Sequence, residues 1–150
     1  MPVISFSFDK INIEKKKTLE APIKVDNGMT IVDLKLEDVP ITGGKKEKVL
    51  RFFYEYKVDY QPDQAIIEIA GNLVYHDPDG KTDELMKGWK DSKQLPPEMM
   101  QQVMNNVLIR CQIKALSLAQ DLGLPPHIRI PTISPKTPIT KDKKAEEYIG

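Results

Sequence analysis

The chain has 150 residues, of which 40% are hydrophobic and 29% charged, and its 22 Lys and Arg residues balance its 22 Asp and Glu residues. A domain of this length can bury one ordinary hydrophobic core, about 70% of the surface that its unfolded chain exposes. Composition and charge therefore argue against a disordered chain and against a strongly basic nucleic-acid binder.

Cysteine usage and hydropathy bear on the compartment. Cys111 is the only cysteine, which excludes an intramolecular disulfide and a cysteine-rich zinc site and favours a reducing cytoplasm. Residues 1–6 lack a basic segment followed by a long apolar one, and no apolar run approaches the roughly 20 residues that cross a bilayer. We expect a cytoplasmic protein that does not insert into membranes.

The N-terminal segment predicts two strands. Apolar residues alternate along residues 3–13 but change parity after Phe8, which predicts a strand with a bulge near Asp9 and Lys10. Asn27-Gly28 is a turn signal, and residues 29–36 after it are rich in Ile, Val and Leu, which predicts a second strand. Gly43-Gly44 predicts a loop after that strand.

The clearest pattern is a long hairpin. Every second residue is apolar from residue 50 to 60 and again from 65 to 75, with turn residues at Gln61-Pro62-Asp63 between them. Pro78 cannot donate to a ladder and ends the pattern. The apolar positions are Leu50, Phe52, Tyr54, Tyr56, Val58, Tyr60, Ala65, Ile67, Ile69, Gly71, Leu73 and Tyr75.

Two helices are predicted after the hairpin. Asp79 or Thr82 can cap a short one, and Pro96-Pro97 opens a long one that should end at Gly123. Its apolar stripe comprises Met100, Met104, Val107, Cys111, Ala115, Leu118 and Leu122. A second apolar set, Val103, Leu108, Ile109, Ile113 and Leu116, makes the stripe wider than one sheet face needs. We expect something else to cover this surplus.

The order of elements predicts an α+β fold, a four-stranded antiparallel sheet with a long and a short helix on one face. Residues 124–131 form an extended segment punctuated by prolines, and a polar tail follows from residue 134. We therefore expect one domain over residues 1–133 and a C-terminal tail, residues 134–150, that is free to dock a partner.

No chemical motif stands out. His76 and His127 lack metal-ligand spacing, and Cys111 lies in the helical stripe, where a small buried residue is expected rather than a nucleophile. Gly43-Gly44 lacks the spacing of a phosphate-binding loop, and the lysine clusters are not interleaved with aromatics, so no specific DNA binding is expected. We expect no enzyme, metal or cofactor; an enzyme with a small-molecule pocket would need a catalytic pair that no motif supplies.

Three segments follow one another in a characteristic order: a strand near Ile11-Asn12-Ile13, a central pair around Val49-Leu50-Arg51 and residues 67–71, and the long helix followed by LGLPPHIRIP, residues 122–131. In these residues and their order the chain resembles the SecB family of export chaperones. The resemblance covers roughly residues 4–133. It does not extend to the acidic sheet surface with which the family meets its motor partner, or to the family's metal-binding C-terminal segment.

This resemblance implies a tetramer that holds unfolded or nascent polypeptides, without ATP, in apolar grooves between sheet and helix. It implies a holdase with a role in export, assembled as a dimer or tetramer, and it would account for the surplus apolar helix face. The implied client-binding residues are Phe52, Tyr54, Tyr56, Met100, Met104 and Val107. Methionine and aromatic surfaces suit promiscuous apolar binding, although they serve equally as ordinary core.

The alternative interpretation is a structural or ribosome-associated protein without chaperone activity. A compact domain with a tail that contains proline and lysine can lie across a large assembly. Salt-sensitive co-sedimentation with ribosomes would favour this alternative.

Overall fold

Four strands precede two helices in the computed structural model, which describes residues 3–133 and 135. The strands are β1 (Val3–Lys15), β2 (Lys24–Thr42), β3 (Lys45–Gln61) and β4 (Ala65–Tyr75), and the helices are α1 (Thr82–Ser92) and α2 (Pro97–Asp121). Apart from residue 135, the polar tail expected at residues 134–150 lies outside the described chain, so the division into domain and tail stays a prediction.

The four strands form one antiparallel sheet in the order β1-β4-β3-β2. Helix α1 packs over β2 and β3, whereas α2 packs over β4 and β3, and residues of both helices join the same core as one sheet face. The predicted α+β fold with two helices on one face of a four-stranded sheet is therefore confirmed. Neither helix has the length and hydropathy that a membrane-spanning segment requires.

The predicted hairpin forms between β3 and β4. Leu50 pairs with Tyr75 at one end, and Tyr60 pairs with Ala65 beside the turn at the other. The alternating residues of β3 from Leu50 to Tyr60 are buried on the helix side, as the period of two requires. This hairpin is the centre of the sheet because β1 and β2 add to its two outer edges.

A bulge interrupts β1 where the parity changes. The register between β1 and β4 shifts between Phe8 and Lys10, which confirms the bulge predicted near Asp9. Because Phe8 pairs with Gly71 before the shift and Ile11 pairs with Ile69 after it, both apolar side chains lie on the helix side of the sheet. The bulge thus preserves the apolar face of this edge strand.

The turn predicted at Asn27-Gly28 is wrong. Both residues lie inside β2, where Asn27 pairs with Val58 and Gly28 with Lys57. Continuous pairing with β3 supplies backbone hydrogen bonds along the strand and overrides a local turn preference. The reversal occurs instead at Gly43-Gly44, whose φ angles of +60° and +76° favour glycine.

The predicted cap of α1 is also wrong. Lys81 occupies the cap position without a side-chain hydrogen bond, and Thr82 is the first helical residue. The carboxylate of Asp77 orders the preceding turn, since it accepts a 2.7 Å hydrogen bond from the backbone N–H of Lys81. An aspartate two residues before the predicted one therefore organises the entry to the helix.

Helix α2 begins and ends as its prolines and glycine predict. It opens at Pro97, and Gly123 follows its last turn with a φ of +67°. The backbone N–H of Leu124 donates to the carbonyl of Ala119 at 2.8 Å, and that of Gly123 donates to Gln120 at 3.2 Å. This pair of bonds satisfies the last carbonyls and directs the chain back onto the sheet.

The buried stripe of α2 differs in part from the predicted one. Its members recur at every fourth residue: Met99, Val103, Val107, Cys111, Ala115 and Ala119. Val107, Cys111 and Ala115 were predicted, whereas Met100, Met104, Leu118 and Leu122 lie beside the stripe rather than in it. Where two adjacent residues are both apolar, as in Val103-Met104, the helical pattern does not decide which of them faces inward. Packing against the sheet decides it.

Candidate functional site

The sheet residues predicted to bind clients form one layer beneath α2. Phe52, Tyr54 and Tyr56 project from the helix side of β3 and are no more than 1% exposed. Val107 of α2 is fully buried in the same core, and Met100 is half-buried against it. The structure therefore brings these five residues together.

Their accessibility differs. Met104 is 37% exposed and lies at the surface of α2, whereas Val107 and the three aromatic residues of β3 are buried. In the chain as described, only Met104 and part of Met100 can meet a client directly. The assignment of all six residues to client binding stays a prediction.

Tyr54 is the most constrained member of this layer. Its hydroxyl donates a 3.0 Å hydrogen bond to the backbone carbonyl of Ser7, and its ring stacks on Phe6 with centroids 5.3 Å apart. Burial beside Cys111 raises the pKa of Tyr54, and burial raises the pKa of the Cys111 thiol to about 11. Both groups are therefore neutral near pH 7, as an apolar layer requires.

The helices do not cover the apolar layer completely. On β1, Phe8 remains 36% exposed and Ile11 remains 41% exposed, although both lie on the helix side of the sheet. The guanidinium of Arg110 lies 4.8 Å from the centre of the Phe6 ring and covers that residue with a cation. Sequence reasoning missed Phe8 and Ile11, because alternation shows which residues share a face but not how far a helix reaches over it.

The outer surface of α2 carries the surplus that the sequence predicts. Ile109 is 57% exposed and Ile113 is 66% exposed, and their spacing of four places them side by side on the helix. Leu108 and Leu116 flank them and are partly exposed. This apolar strip is left uncovered by residues 3–133.

Residues 124–130, which we call the strap, return from the end of α2 to the sheet. Leu124 is buried, and the hydroxyl of Tyr60 donates a 2.7 Å hydrogen bond to the carbonyl of Pro125. The His127 ring packs edge-on against Tyr56 with centroids 6.3 Å apart. The strap thus covers the end of the sheet face that contains Tyr56 and Tyr60.

The His127 side chain is buried without polar partners. It is 8% exposed, and neither ring nitrogen forms a hydrogen bond with any part of the chain that the structure describes. The hydroxyl of Tyr56, whose ring packs against His127, also has no partner there, and burial raises the pKa of Tyr56 to about 12. An unsatisfied buried polar group costs about 1–3 kcal/mol, so the burial of these polar atoms lowers the stability of the strap on the sheet.

The described residues, 3–133 and 135, offer little support for a metal site or a catalytic site. No cluster of three or more His, Cys, Asp or Glu side chains is placed to hold a metal ion there. His76 contacts the Glu47 carboxylate at 2.6 Å, at the far end of β4 from the strap. The expected absence of a metal, a cofactor and catalytic activity remains a prediction.

Fold and site together define an α+β protein whose helices enclose an aromatic sheet face. Phe8 and Ile11 of β1 and Met104 of α2 remain exposed, and we call these three residues the rim. No family model matches the chain, and no curated protein matches it in sequence. The chain is similar to a solved structure of the Mycobacterium tuberculosis Rv1957 SecB-like chaperone in complex with a ChAD peptide from the Rv1956 HigA1 antitoxin. The identity is 13%, 90% of this chain and 91% of that chain are covered, and the TM-score is 0.44. A similarity of this size carries no argument, so the fold rests on the strands and helices themselves.

Proposed function

We propose that this protein is an ATP-independent holdase that binds unfolded or nascent polypeptides through the apolar layer between its sheet and α2. The observation that supports the proposal is that this layer extends past the helix that covers it. Phe8 and Ile11 at the β1 edge and Met104 on α2 are all at least 36% exposed. Exposed apolar side chains at the edge of an apolar layer suit contact with unfolded chains.

Affinity in this proposal comes from burial of client side chains. Removal of apolar surface from water contributes about 25 cal/mol per Å², from which the cost of ordering the client must be subtracted. Met104 and Met100 are flexible and polarisable, so they can adapt to side chains of different shape. Binding should therefore be reversible and weakly specific.

The buried members of the predicted site join in a second step. Phe52, Tyr54, Tyr56 and Val107 meet a client only where α2 or the strap moves away from the sheet. Met104 and the β1 edge are then the first contacts, and the aromatic layer beneath is recruited after them. This order explains how residues of the core also serve as a binding surface.

Self-association belongs to the same proposal. The exposed pair Ile109 and Ile113 forms an apolar strip on the outside of α2, and a second copy of the chain would bury it. A dimer or tetramer assembled on this strip leaves the β1 edge accessible to clients. We also place the protein in the cytoplasm, with export as the process that it serves.

Two measurements on the purified chain test the proposal. Light scattering should give a discrete oligomer, and the protein should suppress aggregation of a chemically denatured client without ATP. The double variant Ile11→Thr, Met104→Gln should suppress aggregation less, because it makes the rim polar while the buried layer stays intact. Val32→Thr is the matched control, since Val32 is an exposed apolar residue on β2 away from the rim.

The outcomes separate the two interpretations. Suppression that the rim variant weakens and the control retains supports the holdase. A monomer that does not suppress aggregation contradicts it. Salt-sensitive co-sedimentation of such a monomer with ribosomes would favour the structural, ribosome-associated alternative.

A further inference from the structure

Two hydrogen bonds connect the strap to the sheet in the described part of the chain, in addition to the packing of Leu124 and His127. Tyr60 donates to the Pro125 carbonyl at 2.7 Å, and the side-chain amide of Asn27 donates to the His127 carbonyl at 3.4 Å, near the outer limit of a hydrogen bond. Leu124 is buried at its start, whereas Pro126 and Arg129 are exposed. Gly123, with its φ of +67°, connects the strap to α2. Movement of the strap away from the sheet would break these two hydrogen bonds and take Leu124 out of the core.

His127 is the residue whose protonation would change this balance. Its ring lies against Tyr56 of β3, and Asn27 of β2 contacts its backbone. Burial alone lowers the pKa of His127, and no carboxylate or ammonium group of the described chain shifts it further. The titratable group that packs against the ring is Tyr56, which is neutral at physiological pH.

We propose that His127 is a pH-sensitive latch, whose protonation releases residues 124–130 from the sheet and exposes Tyr56 and Tyr60. An imidazolium in the closed position would carry two buried N–H donors and a positive charge without an acceptor. Once the strap opens, water accepts hydrogen bonds from both N–H groups and solvates the charge. The latch itself rests on the strap's contacts, and only its consequence for clients rests on the proposed holdase function.

The direction of the pH effect follows from the lowered pKa. The open strap exposes a histidine with an ordinary pKa of about 6.5, whereas the closed strap binds a proton only at lower pH. The open form therefore binds more protons, and the ratio of open to closed strap rises as pH falls below about 6.5. The rise is at most about tenfold per pH unit, and it stops at the pKa of the closed form. Above about pH 7 the strap remains closed.

NMR of the full-length chain between pH 8 and 5 tests the latch. The imidazole resonances of His127 report protonation, and the methyl groups of Leu124 and Ile128 report the position of the strap. The His127→Phe variant keeps an aromatic ring against Tyr56 but cannot be protonated. His76→Gln is the matched control, because it removes the other histidine, at the far end of β4.

In the wild type and in His76→Gln, the strap methyl shifts should follow the protonation of His127. In His127→Phe they should stay constant from pH 8 to 5. Strap methyls that remain fixed while His127 titrates, or that move in the phenylalanine variant as in the wild type, would overturn the latch. Loss of the fluorescence of Trp89 in α1 over the same pH range would also overturn the latch, because it would show that the whole protein unfolds.

Aggregation suppression at pH 7.5 and 5.5 tests the consequence for clients separately. If the strap opens and suppression increases, both the latch and the client site are supported. If the strap opens and suppression does not change, the latch stands and the assignment of Tyr56 to the client site fails. The His127→Phe variant should show no increase at the lower pH.

Discussion

The guanidinium of Arg51 donates a hydrogen bond to the amide oxygen of Asn72 across the β3–β4 pair, on the sheet face opposite the helices. Arg51 also donates to the Glu37 carboxylate of β2 at 2.8 Å, and the Asn72 amide donates to Asp9 of β1 at 2.7 Å. One hydrogen-bonded chain of side chains thus crosses all four strands. Asn72 is its centre and is 8% exposed, so loss of its side chain interrupts the network at its most buried point.

Asn72→Ala should lower the free energy of unfolding by about 1–2 kcal/mol. Arg51 and Asp9 lose a partner in this variant, but both reach water, which limits the cost. Urea denaturation followed by circular dichroism measures the change. The control is Asn105→Ala, an exposed asparagine of α2, which should change stability by less than about 0.5 kcal/mol. Equal effects of the two substitutions would contradict a structural role of the network.

Atoms of β1 and β3 lie too close to Gly71 to leave room for a side chain there. A Cβ atom at this position would lie 2.0 Å from the Ser7 carbonyl oxygen of β1 and 2.4 Å from the Tyr54 hydroxyl. Gly71→Ala should therefore force β1 away from β4 and cost about 3 kcal/mol or more. The midpoint of urea unfolding measures the loss of stability. NMR cross-peaks between the rings of Tyr54 and Phe6 should weaken if β1 moves away.

Gly28 of β2 is the matched control for Gly71. A Cβ atom at Gly28 meets no atom within 4 Å, and its backbone needs no left-handed conformation. Because glycine weakens a strand, Gly28→Ala should leave stability unchanged or raise it by about 0.5 kcal/mol. A large loss of stability at Gly28 would mean that β2 does not run straight through Asn27-Gly28.

The sequence predicts best those features in which local pattern and tertiary pairing agree. The β3–β4 hairpin is such a case, since its alternating residues, its turn at Pro62 and its full-length pairing all favour the same structure. The limits of α2 are another, because Pro97 and Gly123 act through their own backbone geometry. In both cases the residues that decide the structure lie within the element or directly next to it in sequence.

The features that sequence reasoning missed depend on contacts distant in sequence. Asn27-Gly28 forms no turn because β3 pairs with it, and this pairing is not visible in local composition. Which of two adjacent apolar residues of α2 faces inward depends on the sheet beneath. The burial of His127 against Tyr56 joins positions more than 70 residues apart, and only the LPPHIRIP segment signalled that the chain continues in an extended form.

The apolar strip on α2 gives a direct test of self-association. The double variant Ile109→Lys, Ile113→Lys should convert an oligomer into a smaller species, because a charged side chain cannot be buried in an apolar interface without a partner. Both residues are exposed, so the unfolding free energy of the protomer should change by less than about 0.5 kcal/mol. Light scattering at several concentrations measures the mass.

The matched control for the strip is Thr30→Lys, Gln94→Lys. It adds the same two charges at exposed polar positions outside α2 and should leave the mass unchanged. If both double variants dissociate the oligomer, charge alone is responsible and the strip is not the interface. If neither does, self-association uses another surface.

The thiol of Cys111 reports whether the sheet and α2 separate. In the folded chain it is fully buried and its pKa is raised to about 11, so at pH 8 it is neutral and a thiol reagent should modify it only through opening of the layer. A Ser117→Cys variant in a Cys111→Ala background presents an exposed thiol on the same helix and should react at least 100-fold faster.

Addition of an unfolded client should accelerate modification of Cys111, because the proposed second step of binding moves α2 away from the aromatic layer. Fast modification without client would show that the layer is open already, and a client that binds without any acceleration would confine binding to the exposed rim of Phe8, Ile11 and Met104.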